Sequence, residues 1–126
     1  TVLDTQTNLQ WMRCALGQTW NSQTCIGEAK KFNWNDAIKI AKETRHVGYT
    51  DWRLPTIDEL KTLIVKDQRP AIDQQAFPDT PSSLFWSGSP GPDYSNVAWF
   101  VCFYRGYVDH GSRDYDGYVR LVRGGQ

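Results

Sequence analysis

The chain has no long apolar run and no excess of charge of either sign. No segment approaches the roughly 18 consecutive apolar residues that a membrane-spanning helix needs. Its 14 Lys and Arg residues are balanced by 14 Asp and Glu residues, so no overall electrostatic field attracts the chain to nucleic acid or to an anionic membrane. We therefore predict no nucleic-acid partner and no direct membrane insertion.

Cysteine is scarce, since the chain has three. Cys14 and Cys25 flank a polar loop without periodicity, and a disulfide closing a loop of this size stabilises a protein by about 3 kcal/mol in the chain-entropy model. The alternative is two free thiols in a cytosolic protein, and zinc is disfavoured because there is no C-x-x-C motif and no paired His. We predict a Cys14–Cys25 disulfide, an oxidising compartment, and Cys102 as a free, buried apolar residue.

Lysine and glutamate are missing from the chain beyond Asp67. All six Lys and all three Glu precede Asp67, and the charges beyond it come from Asp and Arg. Residues 104–116 contain three Tyr, three Asp, two Arg and one His. Tyr and Arg are among the residues that dominate recognition surfaces, so this composition favours a binding segment over an ordinary solvated loop.

The length of 126 residues suits one packed core, and we predict a single domain over residues 1–126. The sequence begins inside a predicted strand, which we interpret as the start of an excised domain or of a mature form. Residues 2–13 alternate as a hairpin. Apolar spacing then predicts a helix from Trp34 to near Arg45.

A second helix is predicted where Thr56 and Glu59 form a Thr-x-x-Glu capping box. Short strands follow in the segments LFWSG, VAWFVCFY, GYVDH and YVRLVR. The order of a hairpin, two helices and several antiparallel strands predicts an α+β fold.

Side chains in the last predicted strand, YVRLVR, should alternate between two faces. We expect Val119 and Leu121 to face the core, while Arg120 and Arg123 reach solvent. This pattern predicts a strand with one buried and one exposed face.

Several motifs occur in the order of one known bacterial domain, namely DTQTNLQW, WNDA, GYTDWRLPTIDEL, PAID, FWSGSP, AWFVCF and YVRLVRGG. On these motifs the chain resembles the C-terminal domain family of bacterial collagen-like surface adhesins, the Lcl C-terminal domain, over nearly its whole length. The resemblance implies a C-type-lectin-like fold, in which N- and C-terminal strands pair and two helices flank a twisted antiparallel sheet. It also implies an exported or cell-surface protein that binds ligands.

Two positions separate the chain from many members of this family. A Cys late in the first helix and a Cys in the last strand are replaced by Ala41 and Leu121, so we expect these two residues to lie close together. A strand position that is often Asp in the family is Cys102 here, and no role of that Asp is carried over.

The DWRL motif is similar to the family framework. We expect Arg53 to pair with a carboxylate or with carbonyl groups, and the alternative is that Arg53 and Asp51 form part of a site. The tryptophans at 86 and 99 also lie in framework motifs, although an aromatic floor for a sugar ring is an alternative. The residues that we place in the core are Trp52, Leu54, Trp86 and Trp99.

Calcium binding is disfavoured. The WNDA segment is similar to the Trp-Asn-Asp calcium motif of C-type lectins. The Glu-Pro-Asn or Gln-Pro-Asp partner that would help supply about six to eight oxygen ligands is missing. Asn35 or Asp36 more simply occupies a helix N-terminus. We predict no metal and no cofactor.

Catalysis is disfavoured for two reasons. Asp109 and His110 are neighbours in a strand, so their side chains point to opposite faces and do not suit a catalytic pair. Enzymes of the formylglycine-generating type, on a related fold, use a reactive cysteine pair, and Cys102 has no obvious second partner. We predict that the domain is not an enzyme.

The polar segments around the late strands form the predicted site. In a C-type-lectin-like fold this region is the ligand-binding face. Tyr supplies large, rigid contact area there, while Arg and Asp supply charge-assisted hydrogen bonds. We predict one exposed ligand-binding face made of Tyr94, Asn96, Tyr104, Arg105, Tyr107, Asp109, His110, Arg113, Asp114 and Tyr115.

The same residue types arise when adenines are mutated in Asn-type codons. Diversity-generating retroelements act in this way on some C-type-lectin-fold proteins that resemble this one, and the altered codons do not encode Lys, Glu or Gln. The hypothesis is that the chain is one variant of a hypervariable ligand-binding protein.

The predicted function is therefore that of a non-enzymatic adhesin or receptor domain of an exported bacterial protein, located extracellularly or at the cell surface. The expected partner is a protein or a glycan, with sulfated glycans among the candidates, and a homo-oligomer is compatible with the sequence. A structural or oligomerisation module of a surface protein is the alternative, and a lectin-fold enzyme is the third.

Overall fold

The computed structural model describes residues 1–91 and 96–124. These residues form three antiparallel sheets, with strand orders β1-β2-β8, β3-β4 and β5-β6-β7, and two helices. Helices together with antiparallel sheets give the predicted α+β class. In chain order the elements are β1 (Val2–Asp4), β2 (Leu9–Trp11), β3 (Thr19–Trp20), β4 (Cys25–Ile26), α1 (Trp34–Glu43), α2 (Ile57–Lys61), β5 (Leu84–Pro90), β6 (Val97–Cys102), β7 (Tyr107–Ser112) and β8 (Val122–Gly124).

The first sheet joins the N-terminal hairpin to the last strand. β1 and β2 form the predicted hairpin, with Val2 opposite Trp11. β8 pairs with the other edge of β2, where Val122 lies opposite Trp11. Asn8 turns the hairpin with a φ of 61°, a conformation that Asn adopts more readily than most residues. The expected pairing of N- and C-terminal strands is therefore made through β2.

α1 begins at the predicted residue, but its cap is different. The side chain of Asn33 accepts a hydrogen bond from the backbone N–H of Asp36 at 2.8 Å, so Asn33 is the N-cap. The expectation that Asn35 or Asp36 serves at the N-terminus is correct only for the acidic first turn, where Asp36 complements the helix dipole. The helix ends at Glu43, two residues before the expected Arg45, and buries Ala37 and Ala41.

α2 has the predicted capping box. Thr56 Oγ1 accepts from the Glu59 N–H at 3.1 Å, and Glu59 Oε1 accepts from the Thr56 N–H at 2.8 Å. Arg53 also donates to both carboxylate oxygens of Glu59, at 2.7 and 2.9 Å. The prediction that Arg53 pairs with a carboxylate is confirmed, and this pair ties the DWRL segment to the start of α2.

The β5-β6-β7 sheet separates two apolar clusters. Phe85 of β5 and Val101 of β6 pack in one cluster with Leu60 of α2. Their neighbours along the strands, Trp86 and Phe100, pack in the other cluster with the buried alanines of α1. Both faces of β5 and β6 are therefore covered by core.

The expectation that Arg120 reaches solvent is wrong. Arg120 is 1% exposed, its guanidinium lies over the ring of Phe77 at 4.8 Å, and it donates to Thr80 Oγ1 at 2.9 Å and to the carbonyl oxygen of Met12 at 3.2 Å. Burial lowers its pKa to about 9, so the group is still charged at neutral pH. Regular alternation fails because the ladder of β8 starts only at Val122.

Three further expectations concern the disulfide, the proximity of Ala41 and Leu121, and the burial of Cys102. Cys14 and Cys25 form the predicted disulfide, with Cα atoms 5.6 Å apart. Ala41 and Leu121, which were expected to lie close together, belong to the same buried cluster. Cys102 is free but half-buried rather than buried.

Within residues 1–91 and 96–124, neither helix is long and apolar enough to cross a membrane.

Candidate functional site

β7 is an edge strand of its sheet within the described part of the chain. It pairs with β6 over six residue pairs, from Val97–Ser112 to Cys102–Tyr107. β5 lies on the other side of β6. Residues 107–110 are all exposed, in contrast to the residues of β6 that they oppose. Most of the predicted site residues lie on β7 or at its two ends.

The predicted residues of β7 point to both faces of the sheet. Tyr107 and Asp109 lie opposite Cys102 and Phe100, whereas His110 lies opposite Trp99. Because neighbouring side chains of a strand alternate between faces, His110 and Asp109 project in opposite directions. The exposed side chains of β7 therefore form two narrow strips, one on each face of the sheet, whereas one exposed face was expected.

Trp99 is half-buried, so its assignment to the core is wrong. Its ring contacts His110 edge-on, with centroids 4.8 Å apart. Trp86, in contrast, is fully buried and donates from its indole to the carbonyl oxygen of Phe32 at 2.9 Å. Trp99 therefore belongs beside the candidate site, and Trp86 is the tryptophan of the framework.

Tyr115 returns to the face that carries Tyr107 and Asp109. A Cβ atom placed on Gly111 would lie 2.6 Å from the Tyr115 ring and 3.2 Å from the Phe100 ring. The absence of a side chain at Gly111 is what lets the exposed ring of Tyr115 lie against the strand. Two tyrosines and one carboxylate thus share this side of β7.

The β6–β7 turn carries a separate cationic cluster. The guanidinium of Arg69 lies 4.8 Å from the centre of the Tyr104 ring and donates to its hydroxyl at 3.3 Å, and that of Arg105 lies 5.7 Å from the same ring. A cavity of about 510 Å³ is lined by both arginines with Asp67 and Gln68. The sequence did not predict Arg69, because it lies 35 residues from Tyr104 and no local pattern links the two.

At the opposite end of β7, Arg113 is partly committed to packing. Its guanidinium lies 4.2 Å from the centre of the Trp34 ring, and its Nε donates to the Val97 carbonyl oxygen at 3.0 Å. The exposed Asn96 is adjacent, since its carbonyl oxygen accepts from the Arg113 N–H at 2.8 Å. Six strand residues separate the two ends by about 20 Å, so one small ligand cannot contact both.

We use the term polar rim for the predicted site residues that the structure describes. Asp114 is exposed and follows β7, while predicted Tyr94 lies outside the described residues. The rim consists of Asn96, Tyr104, Arg105, Tyr107, Asp109, His110, Arg113, Asp114 and Tyr115.

The rim contains groups suited to hydrogen bonding. The pKa of Tyr107 is raised, chiefly by the neighbouring Cys102 side chain, so its phenol stays protonated at neutral pH. It can therefore act as a donor or as an acceptor. No group of three or more His, Cys, Asp or Glu side chains suited to a metal ion occurs among residues 1–91 and 96–124.

The fold and its polar edge strand define an α+β domain in which the buried strand β6 carries the exposed strand β7. The model of the Lcl C-terminal domain family matches residues 1–123. The chain belongs to this family, and membership indicates a surface-associated protein. No curated protein matches the chain.

Proposed function

We propose that this chain is a non-enzymatic ligand-binding domain, an adhesin or receptor, of an exported bacterial protein, with a C-type-lectin-like fold. The single observation that carries the proposal is the exposure of β7 beside the buried strand β6. A disulfide between Cys14 and Cys25 suits an exported protein, because such bonds persist in oxidising compartments.

The composition of the rim supports recognition rather than simple solvation. Tyr104, Tyr107 and Tyr115 are all about half exposed. Exposed tyrosines offer large contact area at low conformational-entropy cost, which is why binding surfaces use them. Their anchoring to a buried frame allows these side chains to vary without loss of the fold.

The charge at the β6–β7 turn favours a ligand with anionic groups. Arg69 and Arg105 both flank Tyr104, and neither forms a salt bridge within the described residues. Guanidinium groups bind sulfate, phosphate and carboxylate oxygens through paired hydrogen bonds. A sulfated glycan or an acidic segment of a protein fits this cluster, with Tyr104 available to stack on a ring.

The test is a screen of sulfated and unsulfated glycans and of host and bacterial surface proteins, followed by titration of the hits. Tyr104→Ala and Tyr107→Ala should each weaken binding by about tenfold or more, because tyrosines are frequent hot spots. Tyr49→Ala is the matched control, since Tyr49 is an exposed tyrosine outside the rim. Equal binding by all three variants would exclude the rim as the binding surface.

An oligomerisation module is the second candidate function, and the free edge of β7 favours it specifically. An edge strand presents unpaired backbone groups that can pair with a second copy of the chain. Light scattering across a concentration series decides between the two. A dimer that Val108→Pro converts to a monomer would support this module, and a monomer at all concentrations would contradict it.

Genetic diversification is a further part of the proposal. Its support is that most rim residues are exposed, as positions must be if they are to vary without unfolding the domain. Sequencing the DNA downstream of the gene tests the idea. The expected finding is a template repeat and a reverse transcriptase gene, and their absence would remove the hypothesis while leaving the binding proposal intact.

A further inference from the structure

A second concave surface lies between the disulfide loop and the turn that follows α1. It encloses about 530 Å³, within the range of about 300–1,000 Å³ that is usual for small-molecule sites. Its walls include Arg13, Trp20, Arg45 and His46, and its floor includes Met12. None of its lining residues belongs to the polar rim, so it is a different site.

The lining carries two guanidinium groups and no carboxylate. Arg13 donates to backbone carbonyl oxygens, those of Thr1 at 3.1 Å and of Ala76 at 3.5 Å. Neither Arg13 nor Arg45 forms a salt bridge with any residue in the described ranges. Two arginines without a counter-ion in one concave surface leave a net positive charge for a ligand to neutralise.

The adjacent end of α1 opposes this charge only weakly. A helix C-terminus carries about half a negative charge on its free carbonyl groups. Here the Thr44 hydroxyl donates to the Ile40 carbonyl oxygen at 2.7 Å, and the Thr44 N–H points to the Ala41 carbonyl oxygen at 3.4 Å. The two full charges of the arginines therefore dominate the potential in the cavity.

The cavity also offers an aromatic and apolar surface. The Trp20 side chain is 40% exposed, and the Arg13 guanidinium lies 4.7 Å from the centre of its ring. The floor residues Met12 and Ala15 are buried apolar groups. A ring attached to an anionic group could contact this surface while the anion meets the arginines.

The wall that carries Trp20 is held in place before any ligand arrives. Trp20 pairs with Cys25 in the β3–β4 ladder, and Cys25 is bonded to Cys14. Gly17 has a φ of 101°, and a Cβ atom there would lie 2.6 Å from the backbone nitrogen of Lys30. This close approach of two backbone segments indicates a wall that needs little ordering on binding.

We propose that this cavity binds a small organic carboxylate, with the carboxylate at the guanidinium of Arg45 and the ring of the ligand against Trp20 and the apolar floor. His46 supplies a hydrogen bond rather than a third charge. Burial lowers the pKa of His46, so its imidazole is neutral at pH 7 and can donate or accept.

The test is a titration of ¹⁵N-labelled protein, followed by NMR at the Trp20 indole signal, which Trp20→Phe assigns. The probes are benzoate and glucuronate, each with a neutral partner, benzamide and glucose. We expect a saturable shift with at least one carboxylate and no saturation with its neutral partner. If benzoate binds more tightly than glucuronate, the cavity prefers an aromatic ring, and the reverse order indicates a sugar ring.

Two variants separate a site from general attraction to positive charge. Arg45→Ala should weaken the affinity for the carboxylate by about tenfold. Arg45→Lys should restore only part of this affinity, because lysine lacks the planar guanidinium that forms two parallel hydrogen bonds. Lys39→Ala removes the same charge from an exposed position of α1 outside the cavity and should change nothing. Tyr107→Ala should also leave this titration unchanged, whatever the rim binds.

Three results would overturn the proposal. One is the absence of a saturable shift for both carboxylates in the unaltered protein. Another is equal binding of a carboxylate and its neutral partner. The third is an equal loss in Arg45→Ala and Lys39→Ala, with backbone amide spectra showing that both variants are folded.

Discussion

β6 and β7 are neighbouring strands of one hairpin, and they differ almost completely in burial. β6 is central in its sheet and buries Ala98, Phe100 and Val101, whereas residues 107–110 of β7 are all exposed. Their backbones pair without interruption over six residue pairs. Both segments form regular strands, so strand formation does not explain the difference. The position of each strand in the sheet decides whether its side chains are buried and stabilise the fold or are exposed to solvent.

The physical basis of the difference is what covers each strand. β6 has a strand on either side and an apolar cluster on either face, so each inward group removes apolar surface from water. β7 pairs with another strand along one edge alone within the described residues. We call β5, β6 and residues 119–122 the frame, and we expect substitutions there to lower the free energy of unfolding far more than substitutions in the rim.

The largest difference is expected at one cross-strand pair, Phe100 and Asp109, which lie directly opposite each other. Phe100→Ala should lower the free energy of unfolding by about 3–5 kcal/mol, because it empties a core position. Asp109→Ala should change it by less than about 0.5 kcal/mol. Urea denaturation of both variants measures the two values, and similar losses would break the distinction between frame and rim.

Arg120 and Arg123 belong to the same C-terminal segment but differ in burial, so their substitutions compare a buried arginine with a surface arginine. Arg120→Met leaves Thr80 and the carbonyl groups of Met12 and Arg13 without their donor. Loss of these hydrogen bonds should destabilise the protein by about 1–3 kcal/mol, partly offset because a buried charge is removed. Arg123→Met breaks an ion pair with Asp51 at the surface, and a smaller loss is expected. Thermal melts of both variants test the order, and the reverse order would contradict it.

Two glycines provide a matched pair with the same chemical change. A Cβ atom on Gly117 would lie 2.2 Å from Leu84 and 2.9 Å from Trp86, inside the frame. Gly117→Ala should therefore cost about 1–2 kcal/mol through overpacking. Gly111→Ala displaces the exposed ring of Tyr115 and should cost less than about 0.5 kcal/mol. Equal midpoints in urea would show that the Gly117 contacts relax freely.

The smallest expected effect is a loss of stability at acid pH. The hydrogen bond from Arg53 lowers the pKa of Glu59, so the folded state binds this proton less readily than the unfolded state. The stabilisation is fully present above the ordinary glutamate pKa of about 4.3 and is lost as the pH falls through the lowered value. For this partly exposed pair we expect less than about 1 kcal/mol.

A pH series of urea denaturation curves measures this effect. Glu59→Gln keeps a side chain that can serve the capping box but removes the charge, so its stability should depend less on pH below about 5. Asp114→Asn removes an exposed carboxylate of the rim and is expected to follow the unaltered protein. Identical profiles for all three proteins would contradict the role of the Arg53–Glu59 pair.

Most local features of the molecule could be predicted from the sequence. The Thr56–Glu59 capping box, the Cys14–Cys25 disulfide and the N-terminal hairpin each depend on groups that are close in the chain. The type of partner expected for Arg53 was a carboxylate or carbonyl groups, and the carboxylate it meets, Glu59, lies six residues away. The concentration of exposed polar groups on β7 also followed from composition, because Lys and Glu are absent there.

The errors concern contacts between distant parts of the chain. Arg120 was expected in solvent, but it meets Thr80 and Phe77, which are about forty residues away and have no periodic relation to it. Trp99 was expected in the core because it lies in a framework motif. That motif does not reveal that the Trp99 ring lies against an exposed neighbour, His110. Arg69 was missed at the β6–β7 turn for the same reason.

By itself, the sequence determined the capping box of α2, the disulfide, the α+β order of elements and the identity of the polar segment, because short-range hydrogen bonds and chain connectivity specify these. Only the tertiary structure decided that β7 is an edge strand, that its side chains divide between two faces, and that Arg120 lies inside. The burial of a side chain depends on which distant segments of the chain pack against it. The alternation of apolar and polar residues in a strand does not reveal whether one face or both faces will be covered.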